Sequence, residues 1–576
     1  MRFRITRRGE TRKPLKRLDE EVWEEKRREL YRPPEKIKID QTEPASLAHK
    51  PLPISLHLLI VALALAAFLS VVLSYRGIGL TWDEAYYYNP SLKAGMWLGS
   101  LLKGDGLGDT GIYWSTEPDD IPELPSVVKL LNGVSVLSFS KYYGVLTAFR
   151  LPAAAAFAIT GALIYVIGLI GYNRRVGLLA ALMYYLMPRV FGHAHLGASE
   201  SITVFMMLLV VLSFIKGLES GRWSVITGAL FGIALATKIN CVFLPIMLFV
   251  WGHLYYRNKY INNAFAMLFL GPIVWFLVWP LLWHDTFAQI LHYFYFHAAH
   301  QHTPVFFLGQ KYNVEGLLVP WHYPFFMTLF TLPLTFLILF LIGLGRTVAN
   351  MVKDKIGALV IIGAFFPLVL SSMPFSPQYD GVRLFFPAFP FVALLAAVGC
   401  VAFLYSLPRI TVPKISVSLR DAIGIGLVFI VLLNGLYAIR TVHPFELSFF
   451  NSLIGGLPGA EKKGMETTYW GEALNEEALS FLNNNIPDGA KIKALAMHDR
   501  ALMLYQEWGS LKDTLILDSP PPYDYHILLA RKGLFMRPER YLFDHYEPIK
   551  TIARNGVPLL LIYKTGPRFE EEWWSL

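Results

Sequence analysis

Charge and cysteine are both scarce in this chain of 576 residues. Only 16% of it is Asp, Glu, Lys or Arg while 54% is hydrophobic, for a mean hydropathy of +0.42. Ordinary soluble domains carry about 25% charged residues, so a string of globular domains is excluded despite the length. The two cysteines, Cys241 and Cys400, both fall inside apolar runs, which leaves neither a disulfide framework nor a cysteine metal site. No glycine-rich phosphate loop and no nucleophile elbow occurs, so nucleotide hydrolysis is not expected. Internal repeats and low-complexity tracts are absent as well.

What is present is apolar sequence rich in aromatics, with 40 Phe, 29 Tyr and 14 Trp. The net charge of +9 looks like a nucleic-acid signal until it is located. Residues 1–50 hold 15 Lys/Arg against 10 Asp/Glu, residues 441–576 hold 14 against 18, and the stretch between holds 23 against 15. No nucleic-acid partner is expected from such a distribution; the surplus in the middle is membrane topology. Eleven runs reach the length and hydropathy of a membrane span, at about 54–74, 152–171, 176–191, 202–215, 223–237, 240–256, 264–283, 323–344, 356–372, 384–405 and 422–439. With the basic N-terminus placed in the cytoplasm, the short inside loops hold twelve Lys/Arg. The outside loops after spans 3, 5, 7 and 9 hold four: Arg189, Lys238, Lys311 and Arg383. That asymmetry follows the positive-inside rule. It predicts a multi-pass protein of the plasma membrane, with its N-terminus inside and its C-terminal region outside.

The expected fold class is mainly α: a polytopic helical membrane protein of about eleven spans over 51–440. A cytoplasmic basic arm (1–50) precedes it, with one short charged helix around Asp19–Tyr31, suited to anionic lipid headgroups. A small extracytoplasmic α/β domain (441–576) follows. There a helical stretch (ALNEEALSFLNNN) gives way to short apolar runs with turn signals (KIKALAM, DTLILD, YDYHILLA, VPLLLIY). Two outside loops are also long, about 75–151 and 284–322. The first contains amphipathic stretches, SLKAGMWLGSLL and SVVKLLNGVSVL, that can lie along a membrane surface.

The residues suited to chemistry lie on the outside face. Asp83 and Glu84 (TWDEAYYY) follow the first span, where the dielectric falls and a carboxylate's charge is felt more strongly. Capping of a surface helix by Thr81 or Asp83 is an equally good reading of them. Glu200 (HAHLGASESITVF), with His193 and His195 before it, opens another span as a second acid on the same side. Two acids converging on one cavity suit a base-assisted group transfer. Lys238 (ALATKIN), Arg383 (PQYDGVRLFFPAFP) and Arg150 (TAFRLPAAA) are cations at outer boundaries, able to hold a phosphate or merely to snorkel to headgroups. The histidines of FHAAHQHTP (His297, His300, His302) and His322 invite a metal, but without a carboxylate partner they are better read as residues of an aromatic belt. No metal or other cofactor is expected.

TWDEAYYY resembles the Asp-Glu motif of the GT-C superfamily of membrane glycosyltransferases. Within it the branch of protein O-mannosyltransferases and aminoarabinose transferases, which use polyprenyl-phosphate sugars, is the nearest likeness. HAHLGASES resembles that family's second acidic motif, with Glu200 where Asp is usual. PELPSVVKLLNG resembles its Glu-His-Pro-Pro-Leu-x-Lys stretch, keeping Glu123, Pro125 and Lys129 but with Leu124 at the His and Ser126 at the second Pro. The segment ELSFFNSLIGGLPGAEKKG…TTYWGEAL is similar to one that follows the last span in some bacterial members. The resemblance implies Asp83 as catalytic base with Glu84 and Glu200 beside it, and Lys238, Arg383 and Arg150 on the donor phosphate. Trp82, Tyr86, Tyr87, Glu123 and His193 would then line the substrate path. The implied reaction is a single inverting transfer from a polyprenyl-phosphate sugar to an unknown acceptor on the extracytoplasmic side, in a membrane-lipid environment. A transporter or flippase of lipid-linked or small substrates is the alternative, since intramembrane charges also mark transport paths. Against it stand the absence of repeated halves and the length of the tail.

Overall fold

The computed structural model describes residues 54–105, 110–299, 302–374, 376–408 and 419–567, with Phe569 and Glu572. The expected basic arm and its charged helix, and His300 in the histidine-rich loop, lie outside the described residues. All the described residues belong to one packed unit.

The chain is mainly helical. It begins with α1 (Ile54–Leu73), then α2 (Trp82–Lys103) and α3 (Ser126–Tyr143) in the first long loop. Next come α4 (Val145–Gly171), α5 (Arg174–Tyr185), α6 (Pro188–Ala194), α7 (Glu200–Gly217), α8 (Gly221–Leu235) and α9 (Leu244–Tyr256). After these follow α10 (Gly271–Val278), α11 (Thr286–Ala298), α12 (Tyr323–Thr331), α13 (Leu334–Asn350), α14 (Lys355–Ser371), α15 (Phe389–Ser406) and α16 (Leu419–Val442). Among the described residues, five helical stretches are long and apolar enough to cross a membrane: Val145–Gly171, Glu200–Gly217, Ile239–Val278, Arg383–Ser406 and Arg420–Val442. Four shorter apolar helices, Leu58–Leu73, Gly221–Leu235, Leu334–Asn350 and Lys355–Ser371, accompany them.

Three expected spans are broken rather than continuous, each ahead of a proline, the run at 264–283 where Trp279 is extended before Pro280. The run at 176–191 is split between α5 and α6 because Pro188 supplies no N–H and holds Met187 extended. The run at 323–344 is split between α12 and α13 because Leu332 is extended before Pro333. The amphipathic stretches of the first loop are α2 and α3. They cross at two glycines: a Cβ on Gly133 would lie 1.8 Å from the Ser91 carbonyl oxygen, and one on Gly95 would lie 2.7 Å from the Gly133 carbonyl carbon. Only hydrogen fits between these backbones, so the crossing fixes α2 and the acids at its start.

The main core gathers buried side chains of α4, α5, α7, α13, α14 and α15. Apolar side chains on α1 and α16, among them Leu58, Leu65, Ile425 and Phe429, stay exposed as a lipid-facing surface would require. A hairpin in the loop before α12 pairs β1 (Val305–Phe307) with β2 (Gln310–Tyr312).

Past α16, helices α17 (Glu476–Asn485), α18 (Arg500–Glu507) and α19 (Arg537–His545) pack with a four-stranded sheet of order β3-β4-β6-β5. Its strands are β3 (Ile492–Leu495), β4 (Tyr525–Leu529), β5 (Lys550–Arg554) and β6 (Val557–Lys564). The β3–β4 pair is parallel and the other two are antiparallel. This region is stitched to the first loop by backbone: the Gly79 amide donates to the Glu472 carbonyl and the Trp82 amide to the Trp470 carbonyl, each at 2.8 Å.

A Gly133→Val substitution should destabilise the fold by about 2 kcal/mol or more, because backbone rather than a movable side chain occupies the space. Its thermal midpoint in detergent should fall well below that of Val134→Ala, which alters an exposed neighbour.

Candidate active site

Asp83 and Glu84 are adjacent, yet α2 sends them to different places. Thr81 is the N-cap, and Glu84, three residues on, reaches back to the Thr81 amide at 3.0 Å and hydroxyl at 2.9 Å. Glu84 also accepts from the Gly197 amide at 2.7 Å and from Nε and Nη2 of Arg150, both at 2.7 Å. Arg150 spends its other bonds on the carbonyls of Ile78 and Gly79, at 3.0 and 2.7 Å. Both side chains are fully buried. The structure therefore sets Glu84 and Arg150 apart from the acid and cations discussed next. Glu84 is filled by five donors and four of Arg150's five N–H groups are already engaged. The expectation that Glu84 reacts and Arg150 holds a phosphate meets a closed ion pair that ties the start of α2 to α4 and the loop before α7.

Asp83 faces the other way. Its Oδ2 accepts from the Tyr87 hydroxyl, one turn along α2, at 2.9 Å, and its carboxylate pairs with Nη2 of Arg383. Arg383 follows a turn in which Asp380 and Gly381 both take positive φ, and it opens the 3-10 segment that leads into α15. Its Nε donates to Glu200 at 2.8 Å and its Nη1 to Asp380 at 3.1 Å. Glu200 is the first residue of α7. It accepts from Lys238 Nζ at 2.5 Å, Lys238 lying at the extended break after α8. Asp83, Glu200, Lys238 and Arg383 therefore form one cluster, although as many as 300 positions separate its members. Burial pushes the Asp83 carboxyl up, against the pull of the Arg383 guanidinium.

Trp470 walls this cluster. The Arg383 guanidinium lies 4.7 Å from its ring centroid, and His193 meets the ring edge-on at 5.2 Å. Burial, mainly, pulls His193 down to about 3, so the imidazole is neutral. Both of its ring nitrogens and Oε2 of Glu200 are buried without a hydrogen-bond partner among the described residues. Asp380 extends the network outward: it pairs with Arg531 at 2.8 Å, and Arg531 lies 3.8 Å from Glu466, whose carboxyl burial raises to about 7.

An apolar pocket lies beside the cluster, its walls drawn in part from three of the same segments. Val204 follows Glu200 by one turn of α7, Asn240 follows Lys238 by two residues, and Leu384 follows Arg383, and all three line the pocket. Asn240 also donates to the Leu384 carbonyl at 3.4 Å. Met207, Val211, Phe366 and Phe391 complete walls that are almost wholly hydrocarbon.

The remaining expected residues sit around this centre. Trp82 and Tyr86 pack against His498 at 4.3 and 5.2 Å. Glu123 lies elsewhere, 3.2 Å from His292. Lys129 is buried and donates to the carbonyls of Asp120 and Ile121 at 2.7 Å each. Burial lowers its amine to about 7. In the histidine-rich loop, His297 meets the Tyr293 ring at 4.7 Å and His322 the Phe326 ring at 5.1 Å. Among the described residues, no group of three or more His, Cys, Asp or Glu is placed to hold a metal ion.

Asp380, Trp470, Glu466 and Arg531 were not singled out from the sequence. Asp380 and Trp470 lie in quoted motifs, PQYDGVR and TTYWGEAL, so a signal existed for them. Nothing in the sequence marks Arg531.

Residues 142–284 match the family model described as dolichyl-phosphate-mannose-protein mannosyltransferase. The matched segment is a part of the chain only. It contributes His193, Glu200 and Lys238 to the site, and it agrees with the likeness read from the motifs. Among solved structures, the chain is similar to ArnT from Cupriavidus metallidurans bound to undecaprenyl phosphate, with 14% identity, 88% of this chain and 98% of that chain covered, and a TM-score of 0.49. It is also similar to the Archaeoglobus fulgidus oligosaccharyltransferase tethered with an acceptor peptide, with 10% identity, 81% and 60% coverage and a TM-score of 0.43. No curated protein matches the chain.

Replacing Glu84 by Gln should leave Arg150 buried without its counter-charge, at a cost of about 3–5 kcal/mol. The expected outcome is loss of monodisperse protein on size exclusion in detergent. Asp83→Asn, one residue away, should purify normally.

Proposed function

We propose that this chain transfers a sugar from a polyprenyl-phosphate donor to an acceptor hydroxyl or amine at the extracytoplasmic face of the plasma membrane. The observation that carries the reading is the junction of the ion cluster with the apolar pocket. The three segments that supply Glu200, Lys238 and Arg383 continue directly as pocket wall. A ligand with an anionic head and a hydrocarbon tail fits that junction, and a polyprenyl phosphate is such a ligand. The dolichyl phosphate named by the matched family is of the same chemistry.

In the proposed reaction, Asp83 takes the proton of the acceptor while the acceptor's oxygen or nitrogen attacks the anomeric carbon from the face opposite the phosphate. The bond from that carbon to the phosphate oxygen breaks in the same step, inverting the centre. Polyprenyl phosphate leaves with its charge held by Lys238 and Arg383. Glu200 keeps the two cations together. Neutral His193 and the ring of Trp470 close the inner side. Trp82, Tyr86 and Tyr87 would flank the acceptor's approach. Glu84 and Arg150 are assigned to scaffold rather than chemistry, and Glu123 to the rim of the first loop.

Twelve inside cations against four outside favour a cytoplasmic N-terminus and an extracytoplasmic 441–576, with eleven crossings as the count to test. The site then lies on the outer side, where polyprenyl-linked sugars present their headgroups. A flippase would also need charges and a greasy groove. It would not need a base packed beside the cations, and labelled donor discriminates the two. Sugar appearing on an acceptor supports transfer, whereas label crossing sealed vesicles without changing its linkage would overturn it.

Three outcomes follow for purified enzyme in such an assay. Asp83→Asn should abolish transfer while protein yield is kept. Lys238→Met should lower kcat by about 10²–10³, the usual loss for one charge-stabilising group. Because burial raises the Asp83 carboxyl, the acid limb of the rate profile should lie above the range of an ordinary carboxylate, with rate falling as pH drops through it. An acid limb near pH 4 or below would assign the base elsewhere.

A further inference from the structure

Arg383 is shared by three carboxylates, and the three are not held alike. Glu200 keeps a second cation, Lys238, at 2.5 Å, and Asp380 keeps Arg531 at 2.8 Å. Among the described residues, Asp83 is bonded to Arg383 and to the neutral hydroxyl of Tyr87, with no second cation. The exposures follow the same order, with 11% of the Asp83 side chain open against 2% for Glu200 and 6% for Asp380. Three carboxylates against Arg383, Lys238 and Arg531 leave this part of the network balanced in formal charge. An added phosphate must therefore compete for guanidinium N–H groups already in use.

We propose that donor phosphate and Asp83 exchange places on Arg383, and that Asp380, braced by Arg531, is the positioning residue that makes the exchange productive. Nε stays with Glu200, and Nη1, which reaches Asp83 Oδ1 only at 3.5 Å, stays with Asp380 at 3.1 Å, because each of those carboxylates is pinned by a cation of its own. The Nη2 edge, facing the more open Asp83, is the one a phosphate can take. Losing the arginine leaves Asp83 beside an anion, which raises its hunger for a proton just when the acceptor arrives. Without donor, the base stays masked by its ion pair. No covalent step is added to the reaction; the inference concerns the order in which its groups become available. It also gives the C-terminal region a direct role, since Arg531 comes from the loop after β4.

This rests on the polyprenyl-phosphate reading above, and binding of undecaprenyl phosphate to the purified full-length chain in nanodiscs tests both separately. The wild type should bind it saturably. Asp83→Asn should bind it about tenfold more tightly, because an amide competes poorly for a guanidinium. Asp380→Asn and Arg531→Gln should each bind it about tenfold more weakly, with Arg531→Lys recovering most of the loss. A folding defect can weaken binding but cannot tighten it, so the opposite signs separate positioning from damage. If Asp380→Asn does not purify, Asp380→Glu, which keeps the charge but shifts it, should show the same weakening. Wild-type binding with Asp83→Asn unchanged or weaker would overturn the exchange. Tighter Asp83→Asn with Asp380→Asn and Arg531→Gln like the wild type would overturn the positioning role. Absence of wild-type binding would overturn the donor assignment itself, and the exchange with it.

Discussion

The guanidinium of Arg383 is the constraint around which the site is arranged. A buried arginine is tolerable only when its N–H groups meet acceptors and its charge meets opposite charge. Here the acceptors come from four parts of the chain: Asp83 on α2, Glu200 on α7, Asp380 in the preceding turn and, against its face, the ring of Trp470 from beyond α16. Each must be in place for the others to be satisfied. The positive φ of Asp380 and Gly381 belongs to the same requirement. Residue 381 takes φ +65°, which favours glycine, and a Cβ there would sit 2.5 Å from Arg189 Nη1 and have to push that side chain aside.

Two neighbouring acids illustrate how a helix start divides labour. Successive residues on a helix point about 100° apart. Glu84 turns inward to the Thr81 cap, Gly197 and Arg150. Asp83 turns toward Arg383 and Tyr87. The first is saturated by donors and holds α2 to the bundle, and the second is bonded to Arg383 and Tyr87. Hydrogen-bond saturation, not proximity in sequence, separates the two carboxylates.

Much of the helical architecture was legible because hydropathy reports burial in lipid or protein without needing to know the partner. The same property hid the breaks: a run of apolar residues through Pro188 or Pro333 scores as continuous although the backbone cannot remain helical there. The residues of the cluster were legible as oddities, acids and cations at the outer ends of apolar runs. Their pairing was not, because nothing local relates Asp83 to Arg383 or Glu200 to Lys238. Arg150 shows the cost of that blindness. An arginine at the mouth of a span suits a phosphate and a buried glutamate equally well, and only the fold reveals that Glu84 is waiting 66 positions earlier. Arg531 carried no signal, since a lone arginine in a soluble-looking tail has no distinguishing neighbour.

The tail is more than an appendage to a membrane bundle. Its segment METTYWGEALN, residues 465–475, is buried throughout, although it contains two glutamates and has the composition of a loop. Burying it requires the backbone bonds to Gly79 and Trp82, and those residues flank the N-cap of α2. So the tail, the first loop and the start of α2 are fixed together: moving Trp470 off Arg383 would also loosen Thr81, and with it the acid that follows. A group that displaced Asp83 from Arg383 would act on the same strut of backbone that anchors the tail. The path from Asp83 through Arg383 and Asp380 to Arg531 runs parallel to it. Two routes joining the same two regions leave the tail little freedom to move independently of the ion cluster.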